Sequence, residues 1–173
     1  NEEINDSTYM VSIMHANNEI GVIQPIKEIG LICKKNDVLF HVDAAQSLGK
    51  IPIDVINMSV DLMSFSSHKI YGPKGVGAIY INNKIKNKIS AITFGGGQEQ
   101  GLRPGTLPVP LIVGFGKACN KANRIINDEA KEIEKLRNFM LDEIKKELPN
   151  IIINGSMKNR LPGNLNISFP DLK

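Results

Sequence analysis

Three polar groups stand directly after short apolar runs. Asn17 and Asn18 follow YMVSIMHA, Asp43 and then Gln46 follow VLFHV, and Ser66, Ser67, His68 and Lys69 follow DLMSF. Lysine is strongly hydrated and is rarely buried without a partner, so an amine at the end of an apolar run needs a chemical reason. An amine can condense with an aldehyde. A carboxylate can keep a pyridine nitrogen protonated and make the ring an electron sink. Amides can bond a phenolic oxygen, and hydroxyls and an imidazole can donate to a phosphate. The glycine-rich stretch FGGGQEQGLRPGT, Phe94–Thr106, can add backbone N–H groups and the Thr106 hydroxyl for a phosphate. Together these groups suit a pyridoxal 5'-phosphate site.

Taken singly, each residue also has a plainer reading. Asp43 could cap the turn that follows it. Lys69 could be a surface lysine in a turn, His68 a structural histidine and the glycine stretch a flexible connection. His15 and His41 are read as structural. GPKGVG does not fit GxGxxG or GxxxxGK[ST] and joins two strands rather than opening a helix, so nucleotide binding is disfavoured.

The elements that must position these groups follow from the pattern of apolar residues. Tyr9–His15, Val38–Val42, Leu62–Phe65 and Val76–Ile81 read as strands. Gln24-Pro25 opens a helix to about Lys35, with Ile26, Ile29, Ile32 and Cys33 on one face. Strand, helix and strand make a βαβ unit, which predicts parallel pairing and a right-handed crossover. Asp54–Met58 reads as a helical turn, YGPKG as turn chemistry and Lys84–Lys88 as a basic loop or turn. The Phe94–Thr106 stretch is too rich in glycine for the interior of an element. A long helical pattern runs from Pro108 to Leu148 with a break near Asn120, keeping Ile126, Ile133, Leu136, Met140, Ile144 and Leu148 at helical spacing. Pro149 stops it, and strand-like runs follow at IIING and Leu165–Phe169. The predicted class is α/β, a mostly parallel sheet flanked by helices. Residues 1–125 belong to a large domain, and residues 126–173 form a connecting helix and the start of a smaller α+β domain. In open α/β sheets ligands lie beyond the carboxyl ends of the strands, where the polar groups fall.

The 173 residues carry a formal net charge of +3, with 42% hydrophobic and 23% charged residues. That excess is small and unaccompanied by an aromatic-interleaved basic patch, which argues against nucleic acid as a direct partner. No apolar run approaches the ~18 residues of a membrane span. Cys33 and Cys119 are far apart and form no CxxC pair, which disfavours zinc and a disulfide framework and makes both small buried hydrophobes. The opening NEEINDSTYM has no initiator Met and no signal layout, so the chain is expected to be an internal piece of a longer protein.

Four longer blocks carry a resemblance. SIMHANNEIGVIQPI, HVDAAQSLGKIPIDV, DLMSFSSHKIYGPKGVGAIYI and GGGQEQGLRPGTLPVPLIVGFGKA resemble consecutive blocks of the NifS/IscS-type cysteine desulfurases, class-V aminotransferase-like enzymes. LPGNLNISF is similar to the opening of that family's small domain. The likeness runs from about Tyr9 to Phe169 and implies the fold type I architecture of pyridoxal phosphate-dependent transferases. It implies conversion of L-cysteine to L-alanine, with the sulfur passing to an enzyme cysteine as a persulfide. Position by position, it makes Lys69 the Schiff-base lysine and proton carrier and pairs Asp43 with the pyridine nitrogen. Gln46 and Asn18 would contact the ring's 3-oxygen, and Ser66, Ser67 and His68 the phosphate. Thr106 would reach the cofactor of a second subunit, which implies a homodimer.

The resemblance also implies an iron–sulfur scaffold protein or another sulfur acceptor as partner. HANNEIG resembles the branch serving iron–sulfur assembly and tRNA thiolation. The compartment would be a bacterial cytoplasm, or the mitochondrion in a eukaryote. The family's upstream phosphate loop, its ring-stacking histidine and its persulfide-forming cysteine have no match here, and Cys33 and Cys119 do not fill the last role. Gln100 stands where many relatives have Arg, and Pro104 where a small residue is usual. The competing readings are a selenocysteine lyase, another pyridoxal phosphate enzyme of the same fold, and a non-catalytic partner in sulfur transfer.

Overall fold

The computed structural model describes residues 3–170. A four-stranded sheet in the order β1-β2-β3-β4 contains β1 (Met10–Met14), β2 (Leu39–Asp43), β3 (Leu62–Ser66) and β4 (Gly77–Ile81). The first three strands are parallel, and β4 runs antiparallel to β3. Helix α1 (Ile26–Lys35) is the predicted crossover, with Pro25 at its N-cap. The reversal to β4 follows from chain length. Ten residues, 67–76, connect the end of β3 to the start of β4, and a parallel return needs a dozen or more.

The core lies between α1 and the sheet. Ile26 and Cys33 pack on Phe40, Val42, Ala44, Val60 and Met63. Phe40, Val42 and Met63 have no exposed surface, and burying side chains of this size contributes about 1.5–3 kcal/mol each. A second cluster of Leu39, Leu62 and Ile85 joins β2 and β3 to the 3-10 turn Asn83–Lys88. Asp61 ties the start of β3 to β2 in both directions: its Oδ2 accepts from the Phe40 N–H at 3.0 Å, and its own N–H donates to the Phe40 carbonyl at 3.0 Å.

Helix α2 spans Val109–Glu147 without interruption, so the predicted break near Asn120 does not occur. After Pro110 no proline interrupts it, and most residues beyond Lys117 are good helix formers. The helix runs continuously through residues 125 and 126, between which the sequence divides the two domains. Leu136 and Met140 are 69% and 57% exposed, while Phe115, Arg137 and Leu141 are buried. The packing stripe therefore passes through Ile133, Arg137 and Leu141, offset from the one the sequence suggested. The arginine's alkyl stem lets it serve an apolar face. Two short antiparallel strands, β5 (Ile152–Ile153) and β6 (Ile167–Ser168), form a separate ribbon.

Candidate active site

The Lys69 turn is built first. β3 ends at Ser66, and Ser67–Ile70 closes a 3-10 turn whose Tyr71 and Gly72 N–H groups both donate to the Ser67 carbonyl. Ser67 and Ile70 point inward, while His68 and Lys69 are exposed. Tyr71 has φ of +62° and is 94% exposed. A bulky residue in this left-handed region stores strain of about 1–3 kcal/mol, a pattern found at functional turns. Gly72 permits the fold-back: a Cβ there would lie 2.2 Å from Ser67 Oγ. Ser66 Oγ and His68 Nδ1 are 3.1 Å apart, so hydroxyl and imidazole already form a pair.

The turn after β2 brings in the second group. Asp43 is exposed, and its Oδ1 accepts from the Ala45 N–H at 2.8 Å. The capping role is thus real and leaves the carboxylate at the strand end. Ser47, fully buried, anchors the turn through the Ala44 carbonyl. Gly49, at φ +68°, then turns the chain where a Cβ would stand 2.9 Å from Ile70 Cγ2 and 3.0 Å from Ala122 Cβ. That close approach sets Gln46 and Lys50 beside the Lys69 turn.

Asn17 and Asn18 divide their work. Asn17 Oδ1 accepts from the Glu19 and Ile20 N–H groups at 2.9 Å, which spends it on the loop. Asn18 is exposed. The loop is held from outside by the C-terminal segment. Asn164 and Asn166 amides donate to the Glu19 carbonyl, and the Leu161 N–H donates to that of Gly21.

Asn18, Gln46 and Lys69 line one cleft of about 870 Å³, floored by α2 around Ala118–Ile126 and closed by Leu161–Asn164. Asp43, Ser66 and His68 sit on the ends of the adjacent strands β2 and β3 but do not line it. Ser67 has no exposed surface, and its hydroxyl has no hydrogen-bond partner. It packs toward Gly72 rather than opening to the strand ends, so any phosphate contact from Ser67 through its side chain requires the turn to rearrange. Thr106 lies exposed on the glycine loop, outside the cleft. That loop is closed by the Gly105 N–H donating to Gln98 Oε1 at 3.1 Å and by Pro104 packed on Gly95. Gln100 has φ of +60°.

Lys50 was not singled out in the sequence. Its Nζ donates to Gln46 Oε1 at 3.3 Å, and burial together with the nearby Lys69 charge pulls its pKa below the usual lysine value. The signal was present in the i, i+4 spacing from Gln46, but that spacing marks a pair only once the segment is known to turn. Burial also pushes the Cys33 and Cys119 thiols up, and Asp61 adds to the effect at Cys33. Both are therefore weak nucleophiles. Among the described residues no cluster of three or more His, Cys, Asp or Glu could hold a metal ion, and no helix is long and apolar enough to cross a membrane.

An amine, two amides, a carboxylate and a hydroxyl–imidazole pair at the carboxyl ends of three neighbouring parallel strands match the functional groups of pyridoxal phosphate. The family profile described as aminotransferase class-V matches residues 1–173, and the chain belongs to that family. Its fold is that of the fold type I pyridoxal phosphate enzymes, the architecture of the NifS-like structures it superposes on. A solved NifS-like protein is 42% identical with a TM-score of 0.91, covering 99% of this chain and 46% of that one. A structure of SspA in complex with cysteine is 39% identical with a TM-score of 0.79, covering 97% and 46%.

Among curated relatives, cysteine desulfurase from Homo sapiens is 52% identical, covering 96% of this chain and 36% of that protein. Cysteine desulfurase IscS from Ehrlichia chaffeensis is 50% identical, covering 96% and 41%. A probable mitochondrial cysteine desulfurase from Dictyostelium discoideum is 53% identical, covering 96% and 37%. The chain thus spans about two fifths of the length of the relatives it matches.

Proposed function

We propose that this chain is the cofactor-anchoring part of a pyridoxal phosphate-dependent cysteine desulfurase. The carrying observation is the placement of Lys69 on a strained turn in one cleft with Gln46 and Asn18, next to the strand end that bears Asp43. Identity of about one half to cysteine desulfurases supports the choice of reaction. When bound, pyridoxal phosphate supplies the electron sink that makes bonds at the substrate's α- and β-carbons labile.

The chain's own residues do the rest. Lys69 anchors the cofactor's aldehyde carbon and carries the proton to and from the substrate's α-carbon. Asp43, at the end of β2, would pair with the ring nitrogen and keep it protonated. Gln46 and Asn18 bond the 3-oxygen. Ser66 and His68 hold the phosphate, with Ser67 shaping the turn they stand on. Thr106 serves a second subunit's phosphate in a homodimer. Sulfur leaves as a persulfide on a cysteine other than Cys33 or Cys119, destined for an iron–sulfur scaffold or another acceptor. The compartment is the bacterial cytoplasm, or the mitochondrion in a eukaryotic source.

Borohydride reduction of the full-length protein with pyridoxal phosphate, followed by peptide mapping, should label Lys69. L-cysteine should then yield alanine and persulfide in equal amounts. Label on Lys69 with turnover of selenocysteine alone would move the assignment to a selenocysteine lyase. Absence of label on Lys69 would remove the cofactor reading. The isolated 173-residue chain is expected to turn over cysteine poorly.

A further inference from the structure

Gln46 carries an amide, and an amide can face a ligand with either end. Its Nε2 donates and its Oε1 accepts. Toward an anionic phenolic oxygen only the Nε2 end is attractive, so the flip state of Gln46 decides whether it holds the ring or repels it. Nothing in the backbone of the Asp43–Lys50 turn selects that state. One side chain does. Lys50 Nζ donates to Gln46 Oε1 at 3.3 Å. An amine donates in either of its protonation states, so the contact does not depend on Lys50 being charged.

We propose that Lys50 is a positioning residue that engages the oxygen of the Gln46 amide and so presents its N–H groups to the cofactor's 3-oxygen. This rests on the pyridoxal phosphate reading given above. Three features of the fold serve the arrangement. Ser47 pins the turn from inside, through its buried hydroxyl. Gly49 crosses against Ile70 and Ala122, which sets Lys50 in the same cleft as Lys69. Lys50 is half-buried, so its ammonium has lost part of its hydration and gains more from the amide oxygen than an exposed lysine would.

The test uses full-length protein with Lys50→Met, Gln46→Ala and the double variant. Two quantities are read: pyridoxal phosphate affinity, and the pH titration of the bound cofactor's absorbance, which reports the 3-oxygen's surroundings. A third readout needs no cofactor, the NMR signal of the Gln46 side-chain amide. K50M should weaken cofactor binding about fivefold to tenfold, the worth of one hydrogen bond to a ligand. It should shift the absorbance titration, move the Gln46 amide signal, and add nothing in the Q46A background. Lys50→Arg should restore most of the loss, and Lys50→Ala replaces K50M should that variant not fold. Q46A weakening binding while K50M leaves affinity, absorbance and amide signal unchanged would overturn the role of Lys50 and leave the site reading standing. Additive K50M and Q46A effects would also overturn it, because Lys50 would then act on the ligand directly. An unaffected Q46A would remove the cofactor role of Gln46 itself, and the proposal with it.

Discussion

Adding one methyl group at Gly72 tests how the Lys69 turn is held. A Cβ there would stand 2.2 Å from Ser67 Oγ, 3.0 Å from the Ser67 carbonyl oxygen and 3.3 Å from Ala118 Cβ. The first contact is more than an ångström inside ordinary van der Waals distance. Ser67 is fully buried, so its side chain has no solvent to swing into. Overpacking of this kind costs about 1–3 kcal/mol. Ser67→Ala removes the offending atom. Because that hydroxyl is buried without a partner, its loss alone should be neutral or stabilising by about 1 kcal/mol.

The two changes should therefore couple. S67A/G72A should recover about 1–2 kcal/mol of the G72A loss, short of full recovery because the 3.0 Å approach to the carbonyl remains. Urea unfolding of the full-length protein gives the stabilities, and borohydride labelling of Lys69 reports whether the turn still presents its amine. A G72A penalty unchanged by S67A would refute the packing described here. So would destabilisation by S67A beyond about 1 kcal/mol, which would mean the hydroxyl has a partner. In the same series S67A should leave pyridoxal phosphate affinity unaltered while Ser66→Ala lowers it.

His15 is buried and burial holds its pKa below the ordinary 6.5, so the unfolded chain takes up its proton first. Its contribution should be complete above pH 6.5 and fall as pH drops from there toward the folded-state value, and in urea titrations His15→Phe should flatten that acid limb. Tyr71→Gly relieves the left-handed backbone at +62° and should raise the urea midpoint by about 0.5–1 kcal/mol in stability terms, with Lys69 labelling unchanged. Cys33, 1% exposed with a raised pKa, should resist a thiol reagent until urea unfolds the protein, and Cys33→Ala should leave persulfide formation intact. Both outcomes are read by mass spectrometry of the labelled peptides.

The strands and α1 were legible because their periodicities are local. VLFHV and DLMSF differ from their observed limits by a residue, and the crossover dictated parallel pairing. The strand-end rule put Asn18, Asp43, Gln46 and Lys69 beyond the strands, and the structure has Asp43 closing β2 and the other three lining one cleft. The rest depends on side-chain contacts that hydrophobic periodicity does not carry. Ser67 turns into the core because Gly72, lacking a Cβ, leaves room for its hydroxyl. Asn17 and Asn18 look alike in sequence, and only the loop's own N–H groups decide which one is spent. The stripe on α2 was misplaced because an arginine fills a core position. Hydrophobic periodicity counts Arg137 as surface, while its stem packs as core.

The two segments that meet at the cleft are held by opposite means, and this explains why precision and access coexist there. The sheet extends its pairing past the strands: the His15 N–H donates to the Asp43 carbonyl and the Ala44 N–H to that of Ser64. Three strand ends are thereby fixed to one level before any side chain acts. Beyond them, the Asp43–Lys50 turn relaxes at Gly49, where positive φ costs nothing, and the Lys69 turn strains at Tyr71, where it does. A relaxed crossing lets Gly49 pass close against Ile70 and Ala122, with Gln46 and Lys50 half-buried in the cleft beside it. The 3-10 turn before Tyr71 keeps Lys69 out of the core, because its inward face is taken by Ser67 and Ile70, three residues apart and both buried. On the proposed reading, an amine that meets an aldehyde and then moves a proton gains from being outside the packing. On the same reading, an amide that holds one oxygen gains from being half-buried beside it.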